Sequence, residues 1–330
     1  MIEPRENPDL FGHEQAEHTF EAATAGGRLH HAWLITGAEG VGKATLAYRF
    51  ARRLLTSQSA PNDPANPVFR RVARATHADL LTVERAWDDK RKRQRTEIVI
   101  EGARDIAGFL RLTPAEGGWR VVVVDGAEHL NRNAANALLK VLEEPPARAV
   151  LLLTCAAPGR LLPTIRSRCR RLPLRPLDAA DMDRALARVL PDQDASARAG
   201  VAAIAGGSPG RAVLLAEEGG VAIASLVDEV LQAAPNIAVT RAYAVADKLA
   251  RSDAGYSTFM DLLRDRLGAA LREAARAKGD RLGDRLSTLR PLGEWGEVWH
   301  ALGRLQDETE RSNLDKRHAI VAGLDLLNAP

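Results

Sequence analysis

Cysteine is scarce in this chain of 330 residues, which contains two of them, Cys155 and Cys169. Two thiols are too few for a disulfide framework or for a site in which four thiolates hold a zinc ion. Their spacing also matches no metal-binding pattern. We therefore expect both thiols to be buried or unreactive.

Long apolar runs are also missing, since no segment approaches the roughly 18 residues that a membrane-spanning helix needs. The first fifteen residues, MIEPRENPDLFGHEQ, lack the basic start and the apolar stretch of a secretory signal. No internal repeat or low-complexity segment is present. We therefore expect a cytoplasmic protein.

A strong net charge is a third feature that the chain lacks. Lysine and arginine total 46 against 43 acidic residues, and a net charge of +3 says little by itself about nucleic acid. The cationic residues are nevertheless concentrated in DDKRKRQR, residues 88–95. This run has two interpretations, a contact with a phosphate backbone or, more commonly, a solvated loop.

The length suggests two or three domains. Up to about residue 175, short apolar runs alternate with helical patterns, which indicates a parallel sheet with helices on both faces. After residue 176 the strand signals end, and Ala, Leu and Arg recur at helical spacing. We predict an α/β domain at 1–175, a small helical domain at 176–235 and a second helical domain at 236–330. The candidate strands are AWLIT (32–36), DLLTV (79–83), WRVVVVD (119–125) and AVLLLT (149–154).

A glycine-rich turn follows the first candidate strand, in GAEGVGKATLA, residues 37–47. Gly37, Gly40 and Gly42 permit backbone N–H groups to converge on phosphate oxygens at the start of a helix. Lys43 would neutralise the outer phosphates. A strand before the turn, a helix after it and the lysine together predict a phosphate-loop fold.

The next position departs from that pattern. A hydroxyl normally follows the lysine and binds magnesium, but residue 44 is alanine. Thr45 does not replace it simply, since one step along a helix turns the side chain by about 100°. A magnesium ion would therefore lose a protein ligand at this site.

A second motif, WRVVVVDGAEHL, also differs from the pattern of a working phosphate-loop ATPase. Asp125 ends a buried strand, where it is well placed to hold magnesium, directly or through water. A glutamate usually follows to activate the attacking water, but residue 126 is glycine and Glu128 lies two positions further on. Ala44 and Gly126 together predict a site that does not hydrolyse ATP. The alternative is that catalytic groups come from elsewhere in the chain.

Several segments resemble the delta-prime family of bacterial DNA polymerase III clamp-loader subunits, which are AAA+ proteins. The resemblance covers most of the chain except about residues 56–76 and 236–300. It implies an AAA+ phosphate-loop domain at 1–175, a helical lid domain at 176–235 and an all-helical collar at 236–330. The segments are RLHHAWLITGAEGVGKATLA, NAANALLKVLEEPP, LLPTIRSRCRRL, GGSPGRAV and RSNLDKRHAIVAGLDLL.

The resemblance implies a subunit of the polymerase holoenzyme, a nucleotidyltransferase, that helps to load the sliding clamp on primed DNA. Its implied partners are the active ATPase subunits, the delta subunit and the clamp, with primed DNA reached through the complex. ATP or ADP could bind without being hydrolysed, while no ATPase activity is expected of the chain by itself. The active clamp-loader ATPase shares these motifs, but it is expected to keep the hydroxyl and the acid that Ala44 and Gly126 replace.

Arg168, in the Ser-Arg-Cys segment, would be an arginine finger that reaches the ATP of a neighbouring subunit in trans. An arginine offered to a γ-phosphate can raise a hydrolysis rate by roughly 10³ to 10⁵. The other interpretation is that the arginines of this segment only line a strand edge, namely Arg166, Arg168, Arg170 and Arg171. We accept it for Arg170 and Arg171.

The resemblance also gives Thr154 the sensor-1 position and Arg211 the sensor-2 position. Ser208 and Pro209 suit the N-cap and first position of a helix, so Arg211 would lie in its first turn. A cation there opposes the helix dipole unless it faces a phosphate. For Thr154 a structural role at a strand end stays open.

One family feature is missing, because many members hold zinc with four cysteines between the two nucleotide motifs. Residues 55–78 contain no cysteine, so no zinc is expected. Two rival functions remain at this point. One is a competent ATPase of the same fold, and the other is a phosphate-loop kinase that acts on a small molecule.

Overall fold

The computed structural model describes residues 2–88, 93–116, 118–250, 252–276 and 281–328. Contacts between residues divide the chain into two units, Met1–Arg211 and Ala212–Pro330. The division into domains at 1–175, 176–235 and 236–330 stays a prediction, because a two-way division does not test it. None of the helices in the described residues is by itself long and apolar enough to cross a membrane.

Strands and helices alternate in the first unit. In chain order its elements are α1 (Glu14–Ala25), β1 (Ala32–Thr36), α2 (Lys43–Leu55), α3 (Pro67–Ala73), β2 (Leu80–Val83), β3 (Trp87–Asp88), β4 (Arg93–Gln94), α4 (Ile100–Arg111), β5 (Arg120–Val124), α5 (Arg132–Glu143), β6 (Ala149–Cys155), α6 (Pro163–Ser167), β7 (Arg170–Pro173), α7 (Ala179–Val189), α8 (Ala195–Ile204) and α9 (Pro209–Glu217), whose later turns belong to the second unit.

Within the described residues, five strands form one parallel sheet in the order β2-β5-β6-β1-β7. Every residue of β5 and β6 is buried, as expected for central strands that helices cover on both faces. The four strands predicted from sequence are present. The carboxyl ends of these strands form one edge of the sheet, which is where ligands bind in open α/β sheets.

Alternate residues of the central strands pack on opposite faces of the sheet. Leu34, Val122 and Leu151 join a buried cluster with α4 and α5. On the other face, Trp33 meets Phe20 of α1, whose ring stacks on Phe50 of α2 with centroids 3.8 Å apart. The predicted fold class, a parallel sheet with helices on both faces and a helical remainder, is confirmed.

Two features of the first unit differ from the sequence prediction. The strand edge that was accepted for Arg170 and Arg171 is β7, but this strand was not among the four candidate strands, because only Leu172 of its four residues is buried. The run DDKRKRQR (88–95) was interpreted either as a phosphate contact or as a solvated loop. Around it the chain forms two short antiparallel strands of a hairpin, in which Trp87 pairs with Gln94 and Asp88 with Arg93. Residues 89–92 of that run lie outside the described residues.

The described part of the second unit is helical. Buried side chains on α12, Phe259, Met260 and Leu263 among them, lie at its centre, where α10, α13 and α14 pack. Trp295 of α14 is fully buried, and its Nε1 donates to Leu286 O of α13 at 2.8 Å. Its helices are α10 (Gly220–Ala233), α11 (Val239–Leu249), α12 (Asp253–Ala275), α13 (Arg281–Leu289), α14 (Leu292–Ser312) and α15 (Lys316–Asn328).

Candidate functional site

The phosphate loop, residues 37–43, joins the end of β1 to the start of α2. Gly40 and Gly42 have φ angles of 72° and 108°, which residues other than glycine rarely adopt. A Cβ on Gly37 would lie 2.9 Å from Leu174 O, inside van der Waals contact. The backbone that the loop adopts therefore requires the glycines that predicted a phosphate cradle.

Lys43 is the first residue of α2, and its amine lies inside the phosphate loop. Its Nζ donates to Gly37 O at 3.0 Å and to Ala38 O at 2.7 Å, and the residue is 9% exposed. Burial lowers the pKa of the Lys43 ammonium, and the carboxylate of Glu128 opposes this effect most strongly. Ionised acceptors bind an ammonium more strongly than neutral carbonyls do, so a phosphate oxygen can replace one of these bonds.

Asp125 and Thr154 lie together at the carboxyl ends of two neighbouring strands, β5 and β6. The Thr154 hydroxyl donates to Asp125 Oδ1 at 2.5 Å and accepts from Gly126 N at 2.9 Å. Thr154 is fully buried. The structure therefore links the residue predicted for sensor 1 directly to the second acidic motif.

A magnesium nucleotide fits the residues of this site only in part. The glycine backbone and Lys43 suit the phosphates, as described above. On the metal side, residue 44 offers no oxygen ligand, and Thr45 lies about 100° further around α2. One oxygen of Asp125 already accepts the Thr154 hydroxyl. The site offers phosphates a cradle, but it lacks the hydroxyl that such loops use to hold magnesium.

Glu128 is fixed at the end of β6. Its Oε1 accepts from Ala156 N at 2.7 Å, and its Oε2 is buried without a hydrogen-bond partner in the described residues. Burial, with the nearby Glu128 charge as the next cause, raises the pKa of the Cys155 thiol to about 12. The thiol stays protonated at neutral pH, which agrees with the expectation that Cys155 is unreactive. Glu128 is thus an acid beside Lys43 that is tied to the backbone by one oxygen only.

The start of α9 packs directly on the phosphate loop. The Ser208 hydroxyl donates to Glu39 O at 2.6 Å, and Gly210 N donates to Gly40 O at 3.0 Å. A Cβ on Gly210 would lie 2.8 Å from Gly40 Cα, so the two backbones meet without room for a side chain. Arg211 N donates to Ser208 Oγ at a long 3.4 Å. The predicted N-cap serine therefore brings the backbone of Arg211 to the loop.

Arg168 follows α6, and its guanidinium contacts a different set of residues. Its Nη2 forms an ion pair with Glu143 Oε1 at 2.9 Å, and its Nη1 donates to Thr164 O at 3.1 Å. The Arg168 side chain is 36% exposed. An exposed pair of this kind contributes little, about 0 to 1 kcal/mol, so a stronger anion can displace Glu143.

The structure thus brings together Gly37, Gly40, Gly42, Lys43, Asp125, Thr154 and the backbone of Arg211, and it gives Arg168 separate partners. Thr45 is half-buried in the first turn of α2. Sequence reasoning missed His13, whose Nε2 donates to Val41 O of the phosphate loop at 2.8 Å. It also missed Ser208 and Glu143 as contact residues. No sequence signal identifies these partners, because the contacts join distant parts of the chain.

A family model described as "DNA polymerase III, delta subunit" matches residues 12–178, which is half of the chain. Among curated proteins, subunit delta' of DNA polymerase III from Pseudomonas aeruginosa is 42% identical over 190 residues, covering 56% of this chain and 56% of that protein. Subunit tau of Salmonella typhimurium is 31% identical over 192 residues, covering 58% of this chain and 28% of that protein. The chain therefore matches about half, or less, of the length of these relatives.

Among solved structures, a DNA polymerase III gamma subunit-related protein from Thermotoga maritima is similar to this chain. It covers 96% of this chain and 100% of its own, with 18% identity and a TM-score of 0.42. That score is too low to add to the family match. The family match over residues 12–178 confirms the resemblance that the sequence motifs indicated.

Proposed function

Because the chain belongs to the DNA polymerase III delta subunit family, we propose that it is a clamp-loader subunit that does not hydrolyse ATP. In this role it helps to load a sliding clamp on primed DNA during replication. It offers Arg168 to the ATP of a neighbouring ATPase subunit. Its partners are the active ATPase subunits, a delta subunit and the clamp, and the complex works in the cytoplasm.

One observation carries the non-hydrolysing part of the proposal, and it is the incomplete metal side of the nucleotide site. Ala44 offers no hydroxyl, and Gly126 offers no carboxylate next to Asp125. Asp125 Oδ1 instead accepts the buried Thr154 hydroxyl. ATP or ADP can still bind through the glycines and Lys43, with Arg211 as a further phosphate contact from the start of α9. Nucleotide would then act as a structural ligand.

The contacts of Arg168 support its role in trans. The guanidinium is held by Glu143 and by Thr164 O, at the end of a short helix, with a third of the side chain exposed. A γ-phosphate of a neighbouring subunit carries more charge than one carboxylate and binds a guanidinium through two parallel hydrogen bonds. If the Arg168 guanidinium exchanged Glu143 for this phosphate, its positive charge would lie where negative charge develops during hydrolysis.

One observation favours a second candidate, a competent ATPase of the same family. Glu128 lies near Lys43, and its buried Oε2 has no hydrogen-bond partner in the described residues. A carboxylate in that state could activate water in place of the acid that Gly126 replaces. This candidate predicts ATP turnover by the isolated chain that Glu128→Gln abolishes.

ATP hydrolysis by the purified full chain, with and without primed DNA, separates the two candidates. We expect no turnover above the Lys43→Ala background, because the hydroxyl ligand and the adjacent acid are both replaced. Turnover that both Lys43→Ala and Glu128→Gln remove would establish the ATPase candidate instead. Gel filtration with the other clamp-loader subunits tests the wider proposal. A chain that stays monomeric while those subunits assemble would contradict it.

A further inference from the structure

Arg168 lies at the edge of the sheet that the amino ends of the strands form, which we call the amino edge. The strands are parallel, and Arg170, the first residue of β7, pairs with Trp33 near the start of β1. The phosphate loop follows the opposite end of β1, after Thr36. Each strand residue advances the chain by about 3.3 Å, so most of the length of β1 separates Arg168 from the loop. The arginine therefore starts from the edge opposite its own candidate nucleotide site.

Glu143, the acid that Arg168 contacts, also lies at the amino edge. It is the last residue of α5, the helix that connects the carboxyl end of β5 to the start of β6. The preceding residue, Leu142, is 2% exposed, and its carbonyl oxygen accepts from His31 Nε2 at 3.1 Å. His31 comes directly before β1, which places the end of α5 beside the amino ends of the strands. The backbone that carries Glu143 is therefore fixed.

An acid in this position is unfavourable for the helix itself. The last turn carries the negative end of the helix dipole, where cations stabilise a helix and anions destabilise it. The Glu143 side chain is 50% exposed, and it forms the ion pair with Arg168 Nη2 at 2.9 Å. The alternative is a fortuitous surface pair, which shifts an equilibrium by about fivefold at most. The contact with Arg168, rather than the stability of α5, therefore accounts for an acid at this helix end.

The Arg168 guanidinium has a defined resting position. Arg168 N donates to Ile165 O at 3.1 Å, and Ile165 is fully buried, so the backbone on this side is fixed as well. Nη2 is bound to Glu143, and Nη1 donates to Thr164 O at 3.1 Å. Both terminal nitrogens are therefore engaged at rest. A γ-phosphate that binds these two nitrogens in parallel would displace Glu143.

We propose that Glu143 is a positioning residue for Arg168, which holds the guanidinium at rest and competes for it with the γ-phosphate of the neighbouring subunit's ATP. This inference rests on the proposed function, because it takes Arg168 as the arginine finger. The competition weakens the binding of ATP and leaves that of ADP unchanged, since ADP has no γ-phosphate. Glu143 thus raises the ATP concentration at which the finger acts.

The test is the DNA-stimulated ATPase rate of the assembled complex, measured against ATP concentration. The part of the rate that depends on the finger is the difference between each complex and the matching complex with Arg168→Ala. We expect Glu143→Gln to lower the half-saturating ATP of this part about threefold, within the range of an exposed ion pair. The saturating rate should stay the same, because a bound γ-phosphate holds the guanidinium more strongly than one carboxylate does. The inhibition constant of ADP should also stay the same.

Glu144→Gln is the matched control. Glu144 is the exposed C-cap residue of α5, and it forms no ion pair within the described residues. This control removes the same charge from the same helix end, and it should match wild type. A second control places Glu143→Gln in the Arg168→Ala chain, where the half-saturating ATP should not change because there is no guanidinium to release. Gel filtration verifies that every variant assembles.

Three results would overturn the inference. They are an unchanged half-saturating ATP in Glu143→Gln, an equal shift in Glu144→Gln, and a shift that persists in the Arg168→Ala chain. A loss of rate in Arg168→Ala without any effect of Glu143→Gln contradicts only this inference. An unchanged rate in Arg168→Ala contradicts the proposed finger itself, and a chain that stays outside the complex contradicts the proposed function as a whole.

Discussion

Gly126 occupies a backbone position that disfavours the acid a working ATPase site would have there. Its φ angle is 76°, in the left-handed region, and an added Cβ would lie 2.9 Å from the Cδ2 of His129. His129 N in turn donates to Gly126 O at 2.9 Å, which closes the turn after β5. A side chain at this position would strain the turn, so one substitution does not restore the missing carboxylate.

Gly126→Ala should therefore lower the free energy of unfolding by about 1 to 2 kcal/mol, the cost of a left-handed residue with a Cβ. Gly108→Ala is the matched control, because Gly108 is exposed within helix α4 and an added Cβ meets nothing within 4 Å. The control should raise stability by roughly 0.5 to 1 kcal/mol. Urea unfolding of both variants measures this. Equal stability of Gly126→Ala and wild type would show that the turn is not strained.

The start of α9 packs on the phosphate loop, where the candidate nucleotide site lies. Ser208 is 2% exposed, and its hydroxyl bonds to Glu39 O in the loop. Gly40 and Gly210 face each other without room for a side chain. A conformational change at the start of α9 would therefore move the loop as well. Nucleotide bound at Lys43 and the first turn of α9 would affect each other through these contacts.

Ser208→Ala should lower stability by about 0.5 to 1.5 kcal/mol, because the part-buried hydrogen bond from Ser208 to Glu39 O is lost. Hydrogen exchange at the Gly210 amide should become faster, since that amide donates to Gly40 O. Ser225→Ala is the control, because the exposed Ser225 hydroxyl bonds within its own helix, to Val221 O. The control should change stability by less than about 0.5 kcal/mol. Unchanged exchange at Gly210 in Ser208→Ala would argue against the coupling.

At the scale of single elements, the sequence predicted the strands and the loop that have a local residue pattern. The buried strands β1, β5 and β6 were found because their residues are continuously apolar, and the loop was found because its glycines and lysine occur at fixed spacing. The edge strand β7 carries exposed arginines, and the hairpin strands have two residues each, so neither has a periodicity to detect. The bond between Ser208 and Glu39 joins residues 169 positions apart, and only the folded chain reveals it.

The chain belongs to the DNA polymerase III delta subunit family, and its role in a clamp loader is our proposal. The family model matches residues 12–178, which include the phosphate loop, Asp125, Thr154 and Arg168. The helices of the second unit, α10 to α15, lie beyond that match. Their sequence predicted helix but no binding residues. We propose that those after residue 236, α11 to α15, form the collar through which the subunits assemble.

The central claim is that this chain serves an ATPase other than itself through Arg168. Its most direct test is the DNA-stimulated ATPase rate of the assembled complex that contains Arg168→Ala. Arg171→Ala is the matched control, because Arg171 is exposed on β7 and the same charge is removed. Gel filtration verifies that both variants assemble. We expect the site that faces Arg168 to lose a factor of about 10³ or more, so the rate of the complex falls by at least that site's share. Arg171→Ala should match wild type, and an Arg168→Ala complex that hydrolyses ATP as fast as both would contradict the claim.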